Sequence, residues 1–308
     1  MSVLAATDFA QLLGIESTEL GPQALRLIDS CDFSYATADF SARDTILLEI
    51  IRKIDSGAFS VSGASRREDW EKGWNENLQE FTASGYRLES LVPRYFKPDQ
   101  PRRLAGQFIF PAHPDFELNF IRVVRAWLAS QYLSKFRHIF EFGCGTGYHL
   151  VDLAGNCPDS IIHAFDWVQA SAKTFALIAE HFKLNIEAGV FNFFEPDEQL
   201  EVPPHSVCFT FAALEQAGQN YKHFLEFILR KRFELCVHVE CMDEFYDQNV
   251  LPDYLGARYH NQRNYLKGFH GSIRALEQEG RARMLKARRT TVGNMFHEAY
   301  SVLIWKPA

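Results

Sequence analysis

The chain has 308 residues, of which 47% are hydrophobic and 23% charged, and its formal net charge is −7. That is the composition of a globular chain able to bury a core, and its acidic balance argues against phosphate backbones or anionic membranes as partners. No stretch approaches the roughly 18 consecutive apolar residues of a membrane span.

The N-terminal MSVLAATDFAQLLG lacks a basic start and carries Asp8 within its apolar run, which speaks against a secretory signal. A helix is predicted around Val3–Leu13. A second follows in SARDTILLEIIRKIDSG, where Ile46, Leu47, Ile50, Ile51 and Ile54 recur at helical spacing and Gly57 supplies a stop. A third is REDWEKGWNENLQEFTASG, with Trp70, Trp74, Leu78 and Phe81 along one side. The stretch ESLVPRYFKPDQPRRLAGQFIFPAHP, broken by five prolines, reads as an extended, turning linker. The texture changes near residue 112, so residues 1–112 are expected to form an α-helical N-terminal lid and substrate-binding region. Tyr86, Arg94, Tyr95, Arg103 and His113 are its candidates for reaching a ligand.

Residues 113–308 begin with a helix, DFELNFIRVVRAWLASQYL, and then alternate. Strands are predicted at HIFEF, IIHAFD, IEAGVFN, SVCFTFAAL and ELCVHVE, with helices between them. A helix in NQRNYLKGFHGSIRALEQEG and two strands, ARMLKARRTTV and YSVLIW, complete the chain. Alternating strands and helices imply an α/β fold: a Rossmann-like, seven-strand, mostly parallel sheet with one antiparallel strand near its edge.

In such a sheet ligands sit beyond the carboxyl ends of the strands, at the first strand–loop–helix turn. IFEFGCGTGYHL occupies that turn, with Gly143, Gly145 and Gly147 at alternate positions. Glycine there lets the backbone approach a ligand closely. A dinucleotide fingerprint is GxGxxG, but Tyr148 stands where its third glycine would fall, and no Gly-Lys-Ser/Thr follows to make a Walker loop. Glu141, two residues before the first glycine, would repel pyrophosphate and suits a ligand carrying an ammonium or sulfonium group.

The stretch IFEFGCGTG resembles motif I of the class I S-adenosylmethionine-dependent methyltransferases, and the resemblance covers roughly residues 113–308. It implies S-adenosyl-L-methionine as cofactor, held by Glu141, Gly143, Cys144, Gly145 and Gly147. IIHAFDWVQAS resembles the family's second strand. Asp166, 23 residues after Gly143, would then hold the ribose hydroxyls, and Trp167 would lie beside the adenine. GVFNFFEP resembles the third-strand end, with Asn192 in place of the common Asp and Phe193 as the apolar residue after it. FTFAALEQ resembles the fourth-strand end, where acceptor and methyl group meet.

Methyl transfer needs an aligned nucleophile and, for a protonated one, a base. Glu215 follows the fourth strand, with Gln216 where some relatives carry His. Glu240 ends the fifth strand, with His238 on the same side by alternation. His260, Arg263, Lys267, His270 and Arg274 fall on one stripe of a single helix, with His260 a candidate base and Arg263 a clamp for an acidic acceptor. The loop GNMFHEA brings His297 and Glu298 back to the same edge. The spacing of these residues predicts no metal site, and the six cysteines, none in CxxC spacing, read as reduced thiols of a cytoplasmic protein.

The expected activity is methyl transfer to an O or N atom of a small-molecule acceptor, with His260, Glu240 and Glu215 as catalytic candidates. Arg263, His113, Tyr86 and Tyr95 are the substrate-binding candidates. No nucleic-acid or membrane partner is expected, and a homodimer stays open. A peptide or protein methyltransferase and a non-catalytic cofactor-binding scaffold are the alternatives.

Overall fold

A computed structural model describes residues 1–308. In chain order its strands are β1 (Ser2–Val3), β2 (Ser34–Thr37), β3 (Arg102–Leu104), β4 (Gln107–Pro111), β5 (His138–Phe142), β6 (Ile161–Asp166), β7 (Ile186–Val190), β8 (Ser206–Phe211), β9 (Leu235–Glu240), β10 (Ala282–Arg288), β11 (Val292–Asn294) and β12 (Ser301–Pro307). The helices are α1 (Ala6–Leu13), α2 (Pro22–Ser30), α3 (Phe40–Ser56), α4 (Arg67–Ala83), α5 (Phe116–Gln131), α6 (Leu150–Asn156), α7 (Gln169–Phe182), α8 (Tyr221–Lys231), α9 (Leu251–Arg263) and α10 (Phe269–Gln278).

Seven strands form the main sheet, in the order β10-β12-β9-β8-β5-β6-β7. Pairings among β5 to β9 are parallel, and β12 runs antiparallel to both of its neighbours. The strands β8 and β9 are buried along their whole length, as expected for central strands covered on both faces. The order reverses between β5 and β6 on one side and β8 on the other. The loops after these strands therefore open a crevice at their carboxyl ends.

Residues 1–112 differ from the expected helical lid. They hold four strands as well as helices, and β1-β2-β4-β3 join β11 in a second sheet. The predicted linker contains the β3–β4 hairpin, whose turn residues Ala105 and Gly106 both have positive φ. Its prolines fall where they do no harm to the ladder: Pro101 precedes β3 and Pro111 closes β4. Because β3 pairs with β11, residue 104 lies opposite residue 292 and the two portions share a sheet. The largest buried cluster likewise runs from Leu4 to Ile304 and draws on both portions.

The single helix expected over 261–280 is two. Asn264 (φ 52°) ends α9 in the left-handed region, and Gly268 (φ 78°) precedes α10 in it. The proposed stripe His260–Arg274 is therefore broken between Arg263 and Lys267.

Candidate active site

A cavity of about 580 Å³ opens at the carboxyl ends of β5, β6 and β8, within the about 300–1,000 Å³ of small-molecule sites. One end is made by the glycine loop and β6. Gly143 has φ 84°, and a Cβ there would stand 2.3 Å from the Cβ of Ala213, so neither the backbone nor the space admits another residue. The N–H of Gly145 donates to Oδ2 of Asp166 at 2.9 Å. The other carboxylate oxygen, Oδ1, is buried and makes no hydrogen bond of good geometry, although the N–H groups of Val168 and Trp167 and the Ser171 hydroxyl lie near the carboxylate. Burial raises the Asp166 pKa to about 7 against the pull of the Gly145 N–H. Trp167, Phe193 and Phe194 line the same end, with the Trp167 and Phe194 rings 5.7 Å apart.

The N-terminal portion closes this end. Trp74 of α4 lies over the glycine loop, within 3.6 Å of a Cβ built at Gly145, and packs on Trp70. Glu71, on the same helix, accepts from the N–H groups of Gln169 (2.9 Å) and Ala170 (3.1 Å). It thereby satisfies the free amides that open α7 from 98 residues away in sequence.

The residues that sequence reasoning picked separate into two groups. Gly143, Cys144, Gly145, Asp166, Trp167, Phe193, Tyr95, Glu215 and Arg263 line the cavity. Gly147 does not; it packs beneath the loop, where a Cβ would strike the Phe175 ring at 2.8 Å.

Glu141 is also off the wall. Its side chain is buried beneath the loop, with Oε1 2.9 Å from Nη1 of Arg125 and 2.8 Å from Nε2 of His149. Burial opposes its ionisation, but the neighbouring charges win and hold its pKa at about 2. Burial and Arg125 push His149 below its ordinary range. His149 and then Arg125 are the neighbours that hold Glu141 ionised against its burial. Arg125, not Glu141, reaches the cavity, so the expectation of a carboxylate aimed at a cationic ligand is corrected.

Asn192 is a turn residue: its Oδ1 accepts from the N–H of Phe194 at 3.0 Å, and it is absent from the cavity wall. Glu240 lies below the β8 loop, fully buried, where both carboxylate oxygens accept from the N–H of Ala213 at 3.1–3.2 Å. Burial, and then Glu215, push its pKa up to about 8. It anchors a loop and does not face the cavity.

His260 is buried against His297, Nε2 to Nδ1 at 2.9 Å, and burial lowers its pKa to about 3. His297 is the member that lines the cavity. Tyr86 packs on Phe81 and His181, and His113 opens onto a separate small groove. Neither reaches the main cavity.

The far end of the cavity gathers Glu215, Arg263, Tyr259, Tyr265, Phe296 and His297. Burial raises the Glu215 pKa above the ordinary carboxylate range, opposed by Arg263 and by bonds from Cys241 and Gln216. Arg263 is held by Ser60 (2.8 Å) and the Tyr265 hydroxyl (2.9 Å) and has no carboxylate hydrogen-bond partner. Between the two ends stand Arg125, Tyr148, Glu117 and Tyr300, and the last two are joined by a 2.7 Å bond. Sequence reasoning missed Arg125 and Glu117, which look like ordinary polar positions of α5. The only available signal was their presence in an otherwise apolar, buried helix.

No family model matches the chain, and no curated protein matches it. Among solved structures it is similar to a geranyl diphosphate C-methyltransferase from Streptomyces coelicolor A3(2), at 12% identity over 80% of this chain and 99% of that one, TM-score 0.48. A magnesium protoporphyrin IX methyltransferase from Synechocystis PCC 6803 is 10% identical over 62% and 84%, TM-score 0.47. Human N-acetylserotonin methyltransferase is 14% identical over 97% and 74%, TM-score 0.44. With identities this low and TM-scores below one half, what the site does is decided by its own atoms.

Proposed function

We propose that the chain is an S-adenosylmethionine-dependent methyltransferase acting on an O or N atom of a small molecule enclosed beneath the N-terminal portion. The observation that carries this is Asp166: one oxygen fixed by the glycine loop, the other buried without a hydrogen bond of good geometry on an aromatic cavity wall. That arrangement suits a ribose diol, which brings two hydroxyl donors to a carboxylate. Trp167 and Phe193 would hold the attached base, and Arg125 would take the carboxylate of the amino-acid end. Pyrophosphate fits less well. The N–H of Leu150, which opens α6, already bonds the Gly147 carbonyl at 3.0 Å, and that of Gly147 bonds the Cys144 carbonyl at 3.0 Å.

S-adenosylmethionine supplies an electrophilic methyl group when bound. The chain's own contributions are positional and acid–base. Trp70 and Trp74 shield the glycine end from water. Arg263, Tyr259 and Tyr265 would orient the acceptor, and Glu215, its pKa raised by burial, would remove the acceptor proton.

Calorimetry with S-adenosylmethionine tests the reading, with NAD as the competing ligand. Binding of the former, weakened in Asp166→Asn, is expected; heat with NAD alone would overturn it. Methylated product from a panel of small acids, phenols and amines then separates an enzyme from a binding scaffold.

A further inference from the structure

Beyond the acceptor end, three side chains from distant parts of the chain meet in the interior. Cys241 follows β9, His260 lies in the last turn of α9, and His297 lies in the loop before β12. Their ligating atoms fall within 4.8 Å of one another and all three residues are buried. We propose that Cys241, His260 and His297 form a transition-metal site, zinc by the chemistry of its donors, behind the acceptor end of the cavity.

The donor set decides the class of ion. One thiolate and two imidazoles are ligands for zinc and its borderline neighbours, whereas magnesium and calcium take oxygen. Spacing is close to what such an ion needs. Zn–N of about 2.0–2.1 Å and Zn–S of about 2.3 Å put tetrahedral ligands about 3.4–3.6 Å apart. The facing nitrogens of His260 and His297 are 2.9 Å apart, so a shift of about half an ångström would seat the ion between them.

The pair is otherwise poorly served. Two facing imidazole nitrogens can share only one proton, and Nδ1 of His260 is buried with no partner at all.

Ion binding forms a metal–sulfur bond and releases the thiol proton of Cys241. Arg103, near both histidines, and Arg263, near His297, oppose a further cation, and the new thiolate and the Glu215 carboxylate offset part of that charge. His297 lines the cavity while Cys241 and His260 lie behind it, so the three ligands would hold the ion behind the His297 ring, against the acceptor end. The site does not rest on the methyl-transfer reading.

The test uses the full chain stripped with a chelator and titrated with cobalt(II) as the optical probe, followed by zinc competition and elemental analysis. One equivalent is expected, with a sulfur-to-cobalt charge-transfer band and tetrahedral d–d bands that zinc abolishes. Cys241→Ser should lose the charge-transfer band and weaken binding by more than the about 10- to 100-fold that loss of an outer partner alone costs. His297→Gln, on the cavity wall and easier to accommodate, should weaken it comparably while circular dichroism shows the fold retained. No stoichiometric cobalt, or a band that survives Cys241→Ser and disappears in Cys144→Ser, would overturn the proposal. Because the readout contains no S-adenosylmethionine, its failure leaves the methyl-transfer reading standing, and the reverse holds too.

Discussion

The two ends of the cavity are built in opposite ways. The glycine end is centred on one continuous run, β5 through the start of α7, with Phe193, Phe194 and the α4 cover added to it, and its key bond joins Gly145 to Asp166 only 21 residues away. The acceptor end is assembled from the β8 loop, α9 and the β12 approach, with residues 215, 263 and 297 brought together by tertiary packing alone. A contiguous turn dictates its own geometry through backbone conformation. A dispersed cluster holds only while every supporting element stays in place. Substitutions at the glycine end should therefore act on affinity and stability, and those at the acceptor end on turnover.

The largest effect should come at the acceptor end. Glu215→Gln keeps the shape and removes the base, so kcat should fall by about 10²- to 10⁴-fold with S-adenosylmethionine affinity unchanged. Single-turnover kinetics alongside calorimetry checks both. Equal losses in turnover and cofactor affinity would erase the distinction between the ends.

Next is Glu141→Gln, beneath the glycine loop. It strands Arg125, whose side chain is 12% exposed, and loss of one partner of a buried pair costs about 3–5 kcal/mol. Chemical denaturation measures it. The pH dependence has a definite sign. With a folded pKa of about 2 against 4.5, the pair's contribution is present above about pH 4.5 and is lost as the pH falls toward 2. The Gln variant should lose that limb.

Asp166 should run the other way. Its folded pKa of about 7 exceeds 3.8, so the folded state binds the extra proton between those values and stability declines as the pH rises through them. Hydroxyl donors prefer the ionised carboxylate, so cofactor affinity should climb up to about pH 7 and then level. Asp166→Asn should flatten both profiles and weaken cofactor binding by about 1–3 kcal/mol, as calorimetry across pH would show. A slope that persists in the variant would assign it to the other carboxylates raised by burial, Glu215, Glu240 and Asp243.

The same contrast explains what the sequence disclosed. The central strands of the main sheet were readable because they are apolar runs bounded by polar turns, β10 by its alternation, and the glycines and Asp166 stand at the carboxyl ends of two such runs. The β3–β4 hairpin was hidden because Pro101 and Pro111 suggest a linker, although both sit at strand ends. One helix was read where Asn264 and Gly268, both left-handed, make two. Its place at the end of the fifth strand put Glu240 at the pocket edge, yet the carboxylate is taken by the Ala213 N–H. His260 was expected to face the ligand, but it is its neighbour His297 that lines the cavity, and a contact across 37 residues has no local signature.

The smallest effect tests how far the N-terminal portion belongs to the glycine end. Glu71 reaches from α4 to two opening amides of α7, placing a negative charge where the helix dipole favours one. Glu71→Gln keeps one acceptor oxygen and removes the charge, so about 1 kcal/mol of stability should be lost. Trp74 rides on the same helix, over the glycine loop. If Glu71 is what fixes α4 there, the loss should appear in cofactor affinity as well, and amide exchange should quicken at residues 169–170 before it does in β5. A stability loss with unchanged affinity would mean that the aromatic contacts of Trp70 and Trp74 hold the cover by themselves, leaving the glycine end as self-sufficient in structure as it is in sequence.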